Sequence, residues 1–473
     1  MPLSEFAGQY GWGYGDTHHL SIESSAGGLD HYKHFVRECH RRGIAVIQDV
    51  CYNHFDADAE RAQWQYDSEL PEHNICYWYD GKSNDYLDPS AGYLDNGSTG
   101  FSPRYSEPVV RHQFVSSAAL FLDEFHVDGL RVDLTQAIHR DNSRRLDVRR
   151  DGTNEGRIGI GAANLCGAKM LREWARTLRM IRPKVFLIAE DHADWEGVTR
   201  STENGGLGFE ATWHADFYHN LIGDSDMAAG RARLLRSAGY GGEGPLDLVQ
   251  FAGALYATQY GHIVYHESHD EAGNAGGTAR TMVTAVNGAP LVGVTRSTAE
   301  SRSRLCAGLS LLSAGTPMFF MGEEIAAQKP YRYDSFRDNR EDILGERRGQ
   351  GARMFQFYQE LVSLRRSSSA IRSRHIDIIH VNPEGRVIVF TRRSGSDELL
   401  VLASFKNAPY LDGYIVRSDP SRLPDGSWRE LFNSDQVRFG GDGVGNGDTS
   451  IQVLGGSVQV RIPANAILVL RRL

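Results

Sequence analysis

"VDGLRVDL" (residues 127–134) decides the fold. It reads as a strand whose alternation puts Arg131 and Asp133, two residues apart, on one face. The segment before it, "AALFLDEF" (118–125), reads as a helix. After it come a second helix, "KMLREWARTLRMI" (169–181), and a second strand, "KVFLIAE" (184–190). Upstream, "LDHYKHFVRECHRRG" (29–43) places Leu29, Tyr32, Phe35, Val36 and Cys39 on one helical face, with Gly43 as a stop. "IAVIQDV" (44–50) follows as a buried strand. Downstream, 297–315 reads as helix and "TPMFFMGEE" (316–324) as strand. Strands alternating with helices build βα units and a parallel sheet.

In such sheets the carboxyl ends of the strands face the ligand crevice. Here strand after strand ends in charge. Asp49 to His54 follow "IAVIQ", Arg131 and Asp133 end the central stretch, and Glu190 and Asp191 end "KVFLIA". "YHESHDEAGN" (265–274) ends "GHIVY", and Glu323 and Glu324 end "MFFMG". One such ending is bland, but five on successive strands indicate one shared site at one face of a barrel. Residues 55–114 are rich in Gly, Asp and Tyr with weak periodicity, and read as a long functional excursion between strand and helix. From about His375 the pattern becomes short β runs separated by turn residues, an all-β sandwich. The expected domains are a (β/α) barrel over 1–374 and a β-sandwich over 375–473.

Composition bounds the function. The 473 residues are 41% apolar and 23% charged, as in ordinary globular proteins, with a net charge of −9. That balance disfavours nucleic-acid binding, which calls for a basic patch. Five scattered cysteines without a C-x-x-C point to reduced thiols and a cytoplasmic setting. "MPLSEFAGQYGWGYGD" has no basic and apolar leader, and no apolar run is long enough to span a membrane.

Asp133 and Glu190 are the pair with chemistry to offer. Two carboxylates flanking a bond let one attack while the other donates a proton, as retaining glycoside hydrolysis requires. Burial and a negative neighbour would raise the pKa of the acid, while Arg131 would keep Asp133 ionised. The bland alternative is that each carboxylate caps a helix N-terminus. "HESHD" (266–270) contains metal-ligand types, but its spacing is not that of a zinc motif. His54, His269 and Asp270 suit hydrogen bonds to vicinal hydroxyls. Trp12, Tyr14, Trp78, Tyr79 and Trp213 could stack on sugar faces, although any single aromatic more often packs in a core.

Together, "DVCYNH" (49–54), "GLRVDLTQA" (129–137), "FLIAED" (186–191) and "ESHDEAGN" (267–274) resemble the four signature regions of the α-amylase superfamily, glycoside hydrolase family 13. The resemblance covers nearly the whole chain. It implies that Asp133 is the nucleophile, Glu190 the general acid/base, and Asp270 a third carboxylate gripping the 2- and 3-hydroxyls. It implies that His54 and His269 bond the same sugar, that Arg131 braces the nucleophile, that Tyr14 stacks on the sugar, and that Asp49 supports Arg131. Asn53 matches a position that binds calcium in many amylases, but no metal site is readable and no cofactor is expected.

Within that superfamily, "ESHDEAGN", "GGLGFE" (205–210) and 428–446 are similar to glucan branching enzymes. "DVCYNHF" and "WHADFYHNL" (213–221) are closer to maltooligosyltrehalose trehalohydrolases. The favoured expectation is a 1,4-α-glucan branching enzyme acting on glycogen, amylose or a maltooligosaccharide, with an α-glucan hydrolase as the alternative. A non-catalytic glucan-binding protein is the third reading. It predicts loss of a catalytic residue, whereas all seven positions are intact. The family's barrel has eight strands; "MPLSEF" reads as the tail of the second, with the first strand and most of the second absent.

Overall fold

The computed structural model describes residues 1–56, 100–140, 163–192, 195–223, 230–239 and 241–473. Trp78, Tyr79 and most of the 55–114 excursion lie outside these. The chain divides into two compact units, Met1–Trp213 and His214–Leu473.

The first unit is built on four parallel strands in the order β3 (Ile47–Val50), β6 (Gly129–Val132), β7 (Phe186–Ala189) and β8 (Ala211–Trp213). Helix α1 (Gly28–Arg41) leads into β3, α2 (Pro108–Asp123) connects β3 to β6, and α3 (Leu165–Ile181) connects β6 to β7. The central stretch is therefore an interior strand, as its apolar alternation implies. Leu130 and Val132 are fully buried, in a core shared with Phe114, Phe121 and Trp174. Gly129 is needed where β6 meets β7, because a Cβ there would lie 2.2 Å from the Phe186 carbonyl oxygen.

Two edges of this unit differ from expectation. β1 (Ser4–Phe6) pairs antiparallel with β2 (Asp16–Ile22), so only Pro2, through an isolated parallel bridge to Asp49, behaves as the end of a barrel strand. On α1 only Tyr32 and Val36 are buried, while Leu29 and Phe35 are exposed. A 14-residue helix buries one stripe, and here that stripe is narrower than the apolar pattern. The excursion re-enters through a short antiparallel pair, β4 (Phe55–Asp56) with β5 (Gly100–Phe101).

The second unit contains helix α4 (Leu248–Ala257) and the parallel pair β9 (His262–Val264) and β10 (Thr316–Pro317), joined through helix α5 (Gly293–Leu312). β10 is shorter than "TPMFFMGEE" suggests. Gly322 takes a left-handed φ of 99°, and Glu323 turns inward to His266. After helix α6 (Ala352–Ser367) come β11 (Ile376–Asn382), β12 (Val387–Ser394), β13 (Asp397–Ser404), β14 (Tyr410–Arg417), β15 (Gly426–Asn433), β16 (Ile451–Val453), β17 (Ser457–Ile462) and β18 (Ala466–Arg472). They form a six-stranded antiparallel sheet, β11-β12-β13-β18-β15-β16, and a β14-β17 pair. Val389, Leu400 and Leu468 from the larger sheet pack with Val416, Val458 and Val460 from the pair. The alternate residues Phe390, Val401 and Val469 are also buried, so the larger sheet is covered on both faces.

Candidate active site

The parallel register places the site. Asp49 lies directly opposite Arg131, and Val132 opposite both Val50 and Ala189. The ladder runs one residue beyond the strands: Asp133 N–H donates to the Val50 carbonyl at 2.9 Å, and Glu190 N–H to the Val132 carbonyl at 3.0 Å. Asp133 and Glu190 therefore emerge side by side at one edge of the sheet.

Arg131 is the hub. Its Nη1 donates to Asp49 Oδ1 at 2.6 Å, to Asp133 Oδ1 at 2.8 Å and to the Tyr14 hydroxyl at 3.2 Å. Its Nη2 lies 2.8 Å from Glu190 Oε2. Tyr14 in turn donates to Asp49 Oδ2 at 2.8 Å. The Trp213 ring covers the guanidinium, with Cζ 4.7 Å from the ring centroid. Trp213 thus stacks on Arg131, and Trp12 is buried, as the packing alternative for these aromatics anticipates.

Around the two carboxyls are donors to which the sequence reading gave no such role. Asn53 Nδ2 donates to Asp133 Oδ2 at 2.7 Å. Leu134 N–H donates to Glu190 Oε2 at 2.7 Å, and His192 Nε2 lies 3.5 Å from Glu190 Oε1. His192 was discoverable, because alternation puts it on the same side as Glu190. His54 is buried, with Nδ1 2.7 Å from Asn53 Oδ1 and Nε2 2.9 Å from the Tyr14 carbonyl. Asp191, expected at the shared site, instead pairs with buried His139 at 2.6 Å.

The electrostatics invert one expectation. Burial raises the Asp133 carboxyl well above its usual range; Arg131 opposes this, while Glu190 and Asp49 reinforce it. Burial raises Glu190 as well, but Arg131, His192 and the Leu134 N–H outweigh it and hold that carboxyl far below its usual range. The two carboxyls are thus shifted in opposite directions, Asp133 up and Glu190 down. Glu190 faces Arg131 Nη2 at 2.8 Å, His192 at 3.5 Å and the Leu134 N–H at 2.7 Å, and these are the groups that hold it down. Arg131 stays cationic, because its three acidic neighbours overcome desolvation.

His269 and Asp270 belong to the second unit, on the loop after β9. His269 Nε2 is 3.6 Å from Asp270 Oδ2; His269 is nearly buried, while the Asp270 side chain is 43% exposed. Their neighbours His266 and Glu267 are fully buried and bond inward, to Glu323 at 3.0 Å and Arg280 at 2.8 Å. These two residues of the decapeptide therefore support the fold. Among the described residues no group of three or more His, Cys, Asp or Glu side chains is arranged to hold a metal ion.

With this geometry in view, comparison with known families is decisive at the level of class. Residues 6–351 match the α-amylase catalytic domain and residues 378–472 the α-amylase C-terminal all-β domain. The chain belongs to the α-amylase family, and its fold is that family's (β/α) barrel followed by an all-β domain.

Among curated relatives it is similar to the 1,4-α-glucan branching enzyme of Nocardia farcinica, 28% identical over 453 residues, covering 94% of this chain and 54% of the relative. It is also similar to that of Leifsonia xyli, 29% identical over 483 residues, covering 99% and 58%. The chain thus spans little more than half the length of these relatives. Among solved structures it matches the α-amylase of Geobacillus thermoleovorans in complex with acarbose, with a TM-score of 0.65 at 14% identity, covering 99% of this chain and 86% of that one. No helix among the described residues is long and apolar enough to cross a membrane.

Proposed function

We propose that the chain is a retaining α-glucan-active enzyme, a 1,4-α-glucan branching enzyme by preference, with its barrel ending near residue 374 and its β domain beginning near 375. The observation that carries this reading is the Arg131 hub holding Asp133 and Glu190 side by side at the strand ends. Asp133 attacks the anomeric carbon as the glycosidic C–O bond breaks, and the leaving oxygen takes a proton from Glu190. Glu190 then removes a proton from the acceptor, which displaces Asp133. Tyr14, His54, His269 and Asp270 are the proposed sugar ligands. Asp49 holds Arg131.

The reading carries a requirement. The two carboxyls titrate as a pair, shifted in opposite directions. For Glu190 to act as the proton donor, substrate must draw it away from Arg131 Nη2 and the Leu134 N–H, which hold it below its usual range. The branching preference is supported by the relatives; hydrolysis is the alternative, with water as acceptor in place of a 6-hydroxyl. Incubation with amylose, following iodine colour and reducing ends together, separates them. Colour loss with few new reducing ends supports branching, and reducing ends rising in step with colour loss refute it.

A further inference from the structure

Asp133 is held by more than a guanidinium. We infer that Asn53 is a positioning residue for Asp133, fixing the plane of its carboxylate through a side-chain amide that His54 orients. The inference rests on Asp133 being the nucleophile.

Asn53 is 1% exposed, and its amide is committed on both sides. Nδ2 reaches three acceptors: Asp133 Oδ2 at 2.7 Å, the Asp133 backbone carbonyl at 3.1 Å and Cys51 Sγ at 3.4 Å. Oδ1 lies 2.7 Å from His54 Nδ1. The Asp133 backbone carbonyl can only accept, so the amide must turn its N–H groups to Asp133 and its oxygen to His54. His54 Nδ1 then carries the proton that locks this orientation.

The result is a two-sided grip. Arg131 holds Asp133 Oδ1, and Asn53 holds Oδ2. Because Asn53 also bonds the backbone carbonyl of the same residue, it restrains the side-chain torsions as well as one oxygen. Attack at an anomeric carbon demands that kind of alignment, and a displacement of about 1 Å can lower a rate about 100-fold. Cys51 completes the cradle as a neutral thiol, its pKa driven well up by burial. The arrangement also differs from a calcium ligand, whose amide oxygen would face the cation; here that oxygen faces His54.

The test uses Asn53→Ala and Asn53→Ser, with kcat and KM measured on maltoheptaose and the thermal midpoint recorded. Loss of a positioning contact predicts kcat about 10- to 100-fold lower in both, with KM within about threefold of the parent. Parent activity should be unchanged by EDTA. Four results would overturn the inference: kcat within twofold of the parent, a rise in KM alone, failure of both variants to fold, or EDTA inactivation reversed by calcium. Turnover surviving Asp133→Asn would instead remove the nucleophile reading itself, a different outcome on a different variant.

Discussion

Each unit contains a buried ionic cluster at the end of a parallel strand, and the two are built on opposite principles. In the second unit two carboxyls face two basic side chains, one to one. Glu267 faces Arg280 and accepts from Thr281 N–H at 2.6 Å and Thr281 Oγ1 at 2.9 Å. Glu323 faces His266 and accepts from the Tyr358 hydroxyl at 2.9 Å, while Ser310 lies 3.0 Å from the other His266 nitrogen. In the first unit a single guanidinium, Arg131, is shared by three carboxyls, Asp49, Asp133 and Glu190. A balanced cluster satisfies its members and holds the fold. An overdrawn one keeps a proton in play, which is the condition for acid–base chemistry.

The sharpest way to break this contrast is Asp133→Asn. Turnover should fall at least about 1,000-fold, as expected for a nucleophile. Stability should move the other way. The folded pKa of Asp133 is raised, so its favourable contribution exists below its unfolded pKa and is lost as pH rises toward the folded value. At pH 7 the carboxyl is therefore a burden, and its removal should raise the melting temperature, by about 2–4 °C for each kcal/mol relieved. A lower melting temperature would contradict the account.

In the balanced cluster, Arg280→Met should do the reverse, leaving Glu267 buried and unpaired at a cost of about 3–5 kcal/mol. Denaturant unfolding reads this directly. Next in size is the pH profile of kcat/KM. It should fall on the acid side as the low-pKa carboxyl gains a proton, and on the alkaline side as the high-pKa carboxyl loses its own. His192→Gln removes one of the groups that depress Glu190, so the acid limb should move to higher pH.

The smallest effect contrasts two buried histidines of the second unit. Burial, aided by stacked His262 at 4.1 Å, lowers His214 to about 3. Its contribution is intact above the unfolded pKa and lost as pH falls toward 3. His266 is lowered by burial but raised further by Glu323, with a net upward shift. Its contribution is intact below the unfolded pKa and lost as pH climbs through the folded one. His214→Gln should therefore flatten the acid side of the stability curve, and His266→Gln the neutral side.

Much of this was legible in the sequence, and the limits are physical. The βα alternation around "VDGLRVDL" was readable because short apolar runs bounded by charge can hardly be anything but buried strands. The gathering of Asp49, Arg131, Asp133 and Glu190 followed, since parallel register puts strand ends together. The exposure of Leu29 and Phe35 was not readable, because periodicity shows which face is apolar and not how much of it is covered. Nor was the inward turn of Glu267 and Glu323, whose spacing matches that of strand-end site residues. The opposite shifts of Asp133 and Glu190 depend on the placement of groups such as Arg131 Nη2 and the Leu134 N–H, which no residue pattern encodes.

The most direct test of the central claim is to trap the intermediate. The protein is incubated with a slow-turnover 5-fluoro-glycosyl fluoride of the α-gluco series, and the labelled peptide is mapped by mass spectrometry. The account predicts one added glycosyl unit, on Asp133. A label on Glu190, or turnover of the substrate with no covalent adduct formed, would contradict it.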